Sequence, residues 1–304
     1  MSWLDEAIDR LAENPICGYY PDAKPAVEPT AMAALALLSA GRSADRALCW
    51  LAQCQADDGS LGIDAEKISP RWPTGWAVLA WLAASSSDSS FESAIRRAVR
   101  WILSTRAEAG TIEQSSFVGH DASLEAWSWV EETHSWIEPT SINLTALKAA
   151  DRHDHSRCRE AVRLIVDRML PDGGWNYGNT VVLGNTLRPH IQPTGLALLA
   201  LYGEPEVADR IAPSIDYLQK ELNERVATAS LCYGLMGLTA HGYRPSRADR
   251  WLETAFRRTL ERDASGYKLA LVVLAASADR FPWEVEPKDV AIETKHLIGS
   301  LTCV

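Results

Sequence analysis

Six stretches of this chain are apolar nearly all the way round a helix, which restricts its fold more than any other feature. Four open on Pro-Thr: Glu28-Pro29-Thr30-Ala31-Met32-Ala33-Ala34-Leu35, Trp72-Pro73-Thr74-Gly75-Trp76-Ala77-Val78-Leu79, Glu138-Pro139-Thr140-Ser141-Ile142-Asn143-Leu144-Thr145 and Gln192-Pro193-Thr194-Gly195-Leu196-Ala197-Leu198-Leu199. Two more, from Thr228 to Leu235 and from Tyr267 to Leu274, keep the character without the proline. Each Pro-Thr predicts a helix start: proline is pre-set for the first turn, and threonine can satisfy a free backbone N–H. A helix with no polar face must be buried on all sides. The Ala, Gly and Ser in these runs let neighbours come close.

Helices of another kind alternate with them. Cys158, Ala161, Val162, Ile165, Val166 and Met169 form a helical stripe interleaved with Arg159, Glu160, Arg163, Asp167 and Arg168. Ala248, Trp251, Leu252, Ala255, Phe256 and Leu260 form another, with Ser246 as its expected N-cap, and Ala47, Leu48, Leu51 and Cys54 a third. Each has one wet face, and strand signals are nearly absent. The pattern therefore predicts an all-α, (α/α)6 arrangement: a closed ring of dry inner helices wrapped by wet outer ones. An open solenoid is the competitor, but it would expose a large apolar inner face. With 304 residues, 47% of them hydrophobic, the chain can fill such a ring as one domain over 1–304.

The formal net charge of -10 argues against nucleic-acid partners. Arg96, Arg97 and Arg100 sit at helical spacing and are expected on a solvated outer face. The start, Met1-Ser2-Trp3-Leu4-Asp5-Glu6, has neither a basic nor an apolar leader region, so no export signal is expected. No apolar run approaches the ~20 residues of a membrane span. A cytoplasmic protein with reduced thiols follows as the expectation, since the six cysteines form no CxxC pair. Cys303-Val304 is not a prenylation box.

Two turns carry a family likeness. Gln55-Ala56-Asp57-Asp58-Gly59-Ser60-Leu61 and Met169-Leu170-Pro171-Asp172-Gly173-Gly174-Trp175 are similar to the QxxDGxW repeat of squalene–hopene cyclases. The first has Leu61 where the repeat has Trp, and the second Met169 where it has Gln. The Pro-Thr-x-x-Ala-Leu helix starts also look like that family. The resemblance covers most of residues 25–280 and is to the terpenoid cyclase and protein prenyltransferase superfamily of α/α toroids, in particular short bacterial squalene-cyclase-like, or prenyltransferase-repeat, proteins. In that family Asp-Gly makes the tight turn, while Gln and Trp tie outer-helix ends together. The fold serves cyclases, prenyltransferase subunits and non-enzymatic thioester domains, so the likeness fixes no single reaction.

The chemistry those relatives need is incomplete here. Class II cyclases protonate an alkene or epoxide with an Asp of a D-x-D-D motif, and the chain has none. The matching helix starts offer only Glu28, Trp72, Glu138 and Gln192. A lone Glu there has its charged form stabilised by the helix dipole, which makes it a poor acid and a good cap. Prenyltransferase zinc needs Asp-x-Cys, also absent, and the thioester branch needs Cys-Gly-Glu-Gln where Cys17-Gly18-Tyr19-Tyr20 stands. His153-Asp154-His155 with Cys158 has the look of a ligand set but reads as a solvated turn, and Cys232 with His241 lacks a partner cysteine. Neither metal nor cofactor is expected.

The longest gap between dry runs, 110–138, holds His120, Asp121, Glu125, Trp127, Trp129, Glu131, Glu132, His134, Trp136 and Glu138 and predicts a structured loop. Parallel inner helices would gather Trp72, Trp76, Trp127, Trp129, Trp136, Trp175 and Tyr177 at one rim, with Arg71, Arg188, His190 and Gln192 as polar groups. The same tryptophans could equally pack between helix layers. Glu28, Asp121 and Glu138 are the candidate catalytic carboxylates, and a hydrophobic isoprenoid-like small molecule is the expected ligand. Two alternatives stand beside it: a non-catalytic scaffold that meets a protein partner, and a glycan-active (α/α)6 enzyme. The latter needs a carboxylate pair, for which Asp121 and Glu138 are the candidates.

Overall fold

The computed structural model describes residues 2–85 and 90–277; His296 and Cys303 lie outside them. Among the described residues the inner helices are α2 (Val27–Ser39), α4 (Thr74–Ala84), α7 (Ile137–Ala149), α9 (Ile191–Ala200), α11 (Thr228–Ala240) and α13 (Gly266–Ala276). They match the six dry runs. The outer helices are α1 (Trp3–Glu13), α3 (Asp45–Gln53), α5 (Glu92–Ser104), α8 (Ser156–Asp167), α10 (Ala212–Glu221) and α12 (Ala248–Arg262). A short α6 (Ile112–Val118) and a hairpin of β1 (Val181–Val182) and β2 (Asn185–Thr186) lie outside both layers.

Each inner helix packs on the next in chain order, and α13 packs back against α2, so the ring closes and the solenoid is excluded. Its helices run parallel. At one end the first turns meet, Tyr267 donating to Glu28; at the other, Ser39 meets Ser277 and Lys148 reaches the Ala200 carbonyl. Outer helices show the expected wet face: α5 buries Ala94, Ala98, Val99 and Ile102 and exposes Arg96, Arg97 and Arg100. The N-cap of α12 is Arg247, not Ser246.

The Pro-Thr pairs do not start most of their helices. In α2, α7 and α9 the helix begins two residues before the proline, and the caps, Ala26, Trp136 and His190, make no side-chain cap bond. Proline is tolerated there because the first four N–H groups of a helix lack intrahelical partners. The threonine instead fastens the incoming chain. Its hydroxyl accepts the N–H of Cys17 (Thr30, 3.2 Å), Leu61 (Thr74, 2.9 Å), Trp127 (Thr140, 3.3 Å) or Trp175 (Thr194, 2.9 Å), and donates toward the same residue's carbonyl. Leu61 and Trp175 are the last residues of the two repeat turns, so turn and helix start form one unit. Gly59 and Gly173 have φ of +96° and +88°, and a Cβ there would lie 2.5 Å from the Arg97 carbonyl oxygen and 2.4 Å from the Pro213 carbonyl carbon. Only glycine fits that turn against the next outer helix. Gln55 then donates to the Ala94 carbonyl at 2.9 Å, tying two outer helices together.

The 110–138 segment is structured, as expected, and two buried arginines at the end of the outer layer hold it. Arg157 donates to the carbonyls of Thr105 (2.8 Å), Ala126 (3.0 Å) and Glu125 (3.2 Å) and stacks 4.5 Å from the centre of Trp127. Arg168, just past α8, donates to the Ser135 carbonyl.

Candidate functional site

The parallel helix starts share one mouth. Glu28, Glu138 and Gln192 each occupy the second position of their helix, and Trp72 sits two residues before α4. Both glutamates are buried, with 8% and 4% of their surface accessible. In the ring, α4 separates α2 from α7, yet the charge of Glu28 acts on Glu138. Both stand at the helix starts of the same mouth, within range of each other's charge. Tyr19, in the loop before α2, and Tyr267 donate to the two Glu28 oxygens, and the hydroxyls of Tyr267 and Tyr233 lie 3.2 Å apart. Glu138 Oε1 is buried and has no hydrogen-bond partner.

Burial raises the pKa of Glu28 to about 7, with the Tyr19 and Tyr267 hydroxyls opposing the rise. Burial, and then the charge of Glu28, raises Glu138 to about 8, with Gln192 opposing. Burial thus outweighs the helix dipole, which by itself would favour the charged form. A helix end stabilises an exposed charge by ~0.3–1 kcal/mol, less than what withdrawal from water costs here. Such acids hold a proton near neutrality but release it reluctantly, so they suit hydrogen bonding and ion pairing better than protonating an alkene.

The ring has a floor. The rings of Trp76, in the first turn of α4, and Tyr233, in α11, lie 6.4 Å apart. Those helices stand opposite each other, so their side chains meet in the middle. Helices at the usual ~8–10 Å spacing leave little room at the centre of such a ring. Small residues tighten one wall further: a Cβ on Gly195 would fall 2.2 Å from the Tyr233 carbonyl oxygen, so α9 and α11 nearly touch.

The aromatics nominated from the sequence separate into two sets. Trp127 and Trp175 are 1% and 0% accessible, and their indole N–H groups donate to the carbonyls of Ile102 (2.9 Å) and Ile165 (2.6 Å). Both are core, between the layers, Trp127 also edging a small cleft beside Trp72 and Trp129. The others form pairs in the loops that lead into the helix starts: Trp72 with Trp129 at 4.5 Å, Trp136 with His134 at 4.4 Å, and Tyr177 with His190 at 5.4 Å. A cleft of about 20 Å³ beside the first pair also touches Arg71, whose guanidinium is shared by Asp58 (2.9 Å) and Glu131 (3.4 Å). Arg188 is exposed. Asp121 serves a turn: it accepts from the Ser123 hydroxyl at 2.6 Å and its pKa is lowered by that bond. The carboxylate whose charge Glu138 feels is Glu28 and not Asp121. Sequence reasoning missed Tyr19, Tyr233 and Tyr267, although Tyr233 and Tyr267 stand in two of the dry runs where a hydroxyl is out of place.

Among the described residues no three His, Cys, Asp or Glu side chains gather as a metal-ligand set. His153 makes exposed contacts with Asp151 and Asp154, and the Cys158 thiol donates to the Arg152 carbonyl. No described helix is long and apolar enough to cross a membrane.

No family model and no curated protein matches the chain. Solved structures do. A protein from Actinoplanes superposes with a TM-score of 0.58 at 13% identity, over 91% of this chain and all of that one. The type II terpene cyclase MstE from Scytonema gives 0.56 at 15%, over 92% of this chain and 98% of its own. Native alpha-2-macroglobulin from Escherichia coli, from domain MG7 to the C-terminus, gives 0.51 at 14%, over 90% of this chain and 42% of that one. At such identities the likeness shows the fold: an α/α toroid, built like a terpene cyclase.

Proposed function

We propose that the protein binds a hydrophobic, isoprenoid-like small molecule in the mouth of its ring. One observation carries this reading: two buried carboxylates, Glu28 and Glu138, stand at the helix starts of one mouth, in the company of Tyr19, Tyr233, Tyr267 and Trp76. A few polar groups in an apolar, aromatic setting are what a small-molecule site requires. Trp72, Trp129, Trp136, Tyr177, His190, Gln192 and Arg188 would surround the opening above the Trp76–Tyr233 floor. The toroid it shares with a terpene cyclase supports the reading at the level of fold. Without D-x-D-D, and with acids of raised pKa, the ring does not start cyclisation by protonation. Incubation with squalene or geranylgeranyl diphosphate should give no cyclic product. A pulldown from lipid extract, read by mass spectrometry, should enrich an isoprenoid on the wild-type protein and not on a Glu28→Ala/Glu138→Ala variant of matched thermal stability. Clean protein in both samples sinks the proposal.

A second reading has its own support. Leu183, at the tip of the hairpin, is 93% exposed and Phe117 of α6 75%, both in segments that lead to the mouth. Exposed apolar groups of this kind suit a protein partner, in which case the ring is a scaffold. Co-purification of a stoichiometric protein that Leu183→Asp releases would favour it.

A further inference from the structure

The buried charge of the mouth is one-sided. Among the described residues, neither Glu28 nor Glu138 forms an ion pair. The side chains that meet them are Tyr19 from the leading loop, Tyr267 from α13, Tyr233 from α11, Tyr177 ahead of α9 and Gln192 on α9, with Trp76 of α4 below. None is a cation. Buried carboxylates elsewhere are matched by a positive group or by several donors; here Glu138 Oε1 has neither. Tyr19 and Tyr267 pack edge to face at 5.2 Å, which leaves aromatic surface next to the carboxylates. Two carboxyl groups beside aromatic faces, acceptor-only once ionised, are complementary to an alkylammonium group, which supplies charge and N–H donors to the former and a cation–π contact to the latter.

We propose that the ligand of the mouth carries a basic amine, an ammonium head seated between Glu28 and Glu138 with a short hydrocarbon body among the rim aromatics. The proposal rests on the reading of the mouth as the ligand site. Burial raises both carboxyl groups, so that near neutrality the free protein holds protons there, chiefly on Glu138, in place of the missing counter-charge. Binding of the ammonium form then ionises them and releases protons to the buffer. The parallel helix starts oppose a cation, but two of the six are already answered by these carboxylates. The Trp76–Tyr233 floor limits depth and favours a short body.

Three ligands with one ten-carbon skeleton test this: geranyldimethylamine, geraniol and geranic acid, titrated calorimetrically into the whole chain at pH 7 in two buffers of different ionisation enthalpy. The amine should bind at least tenfold more tightly than the alcohol and the acid more weakly than both. The two buffers should show net proton release for the amine and none for the alcohol. Glu138→Gln should collapse the amine-to-alcohol ratio. Alcohol binding that equals or exceeds amine binding would overturn the ammonium site and leave the mouth reading standing. Absence of binding by all three would overturn both. Should Glu138→Gln not fold, the wild-type proton count still decides, because tight amine binding without proton release contradicts the mechanism.

Discussion

Two regions of this protein bury charge, and they handle it in opposite ways. Behind the 110–138 segment, Arg157 gives N–H groups of its two terminal nitrogens to three main-chain carbonyls and its face to Trp127, leaving only Nε without a partner. In the mouth, Glu28 and Glu138 have tyrosine hydroxyls and an amide for company, no cation, and pKa values pushed upward by burial. A buried cation that is answered by carbonyls fixes a loop in place. Buried carboxylates that lack a counter-charge stabilise nothing and wait for one. The difference separates an anchor from a site.

The largest effect should come from the anchor. Arg157→Met leaves the carbonyls of Thr105, Glu125 and Ala126 without their donor and should cost about 4 kcal/mol in urea unfolding. A loss below about 1 kcal/mol would mean that water replaces the guanidinium and that the contrast is overdrawn. Next, the floor and the rim should diverge. Trp76→Ala should lose roughly 3 kcal/mol, as large-to-small core changes do, whereas the half-buried Trp72 should lose about 1 kcal/mol on the same change. Equal losses would make both tryptophans core.

The glutamates should show themselves in pH dependence. Their folded pKa values are raised, from 4.5 to about 7 for Glu28 and about 8 for Glu138. The folded state therefore binds protons that the unfolded chain has already lost. Stability should be greatest below pH ~4.5 as far as these groups are concerned, fall as pH rises to about 8, and then level off. Taken in full, the two rises correspond to roughly 8 kcal/mol; relaxation and water entry around the ionised groups should reduce the observed fall to a few kcal/mol, of which Glu138→Gln should remove more than half. A flat profile in the wild type between pH 5 and 8 would show that both carboxylates are ionised and solvated. The smallest effect belongs to Tyr19→Phe. It removes a hydrogen bond that favours the charged form of Glu28, so it should cost about 1 kcal/mol and push the Glu28 pKa upward in a carboxyl NMR titration.

The ring was legible because its signal is repeated: six runs with no wet face leave few other ways to bury themselves. The closing contact of α13 on α2 followed from the same argument. The helix starts were misread because proline and threonine have a strong prior at the cap, and local preference cannot reveal a partner thirteen residues upstream. The constant spacing of Cys17, Leu61 and Trp127 from Thr30, Thr74 and Thr140 was the available clue. The state of the glutamates was misjudged for a related reason. Sequence shows a helix N-terminus but not the desolvation that overrides it. Trp127 and Trp175 could not be told from Trp72 and Trp129 by composition; what separates them is whether the indole N–H finds a carbonyl between the layers.

The ring is continuous in space but not in chain. Five of its six inner contacts join helices that follow each other through an outer helix; the sixth, α13 on α2, joins the two ends and is a seam. Glu28 lies on that seam. Tyr267 of α13 and Tyr19 of the loop before α2 both donate to it, their rings pack at 5.2 Å, and the Ser265 hydroxyl donates to the Tyr19 carbonyl at 2.6 Å. A ligand of the proposed site would thus touch both lips of the one inner junction, among the described residues, that no inter-helix connection spans. Occupancy should act as a clasp, slowing amide exchange in α2 and α13 together while the far wall of α7 and α9 is unchanged.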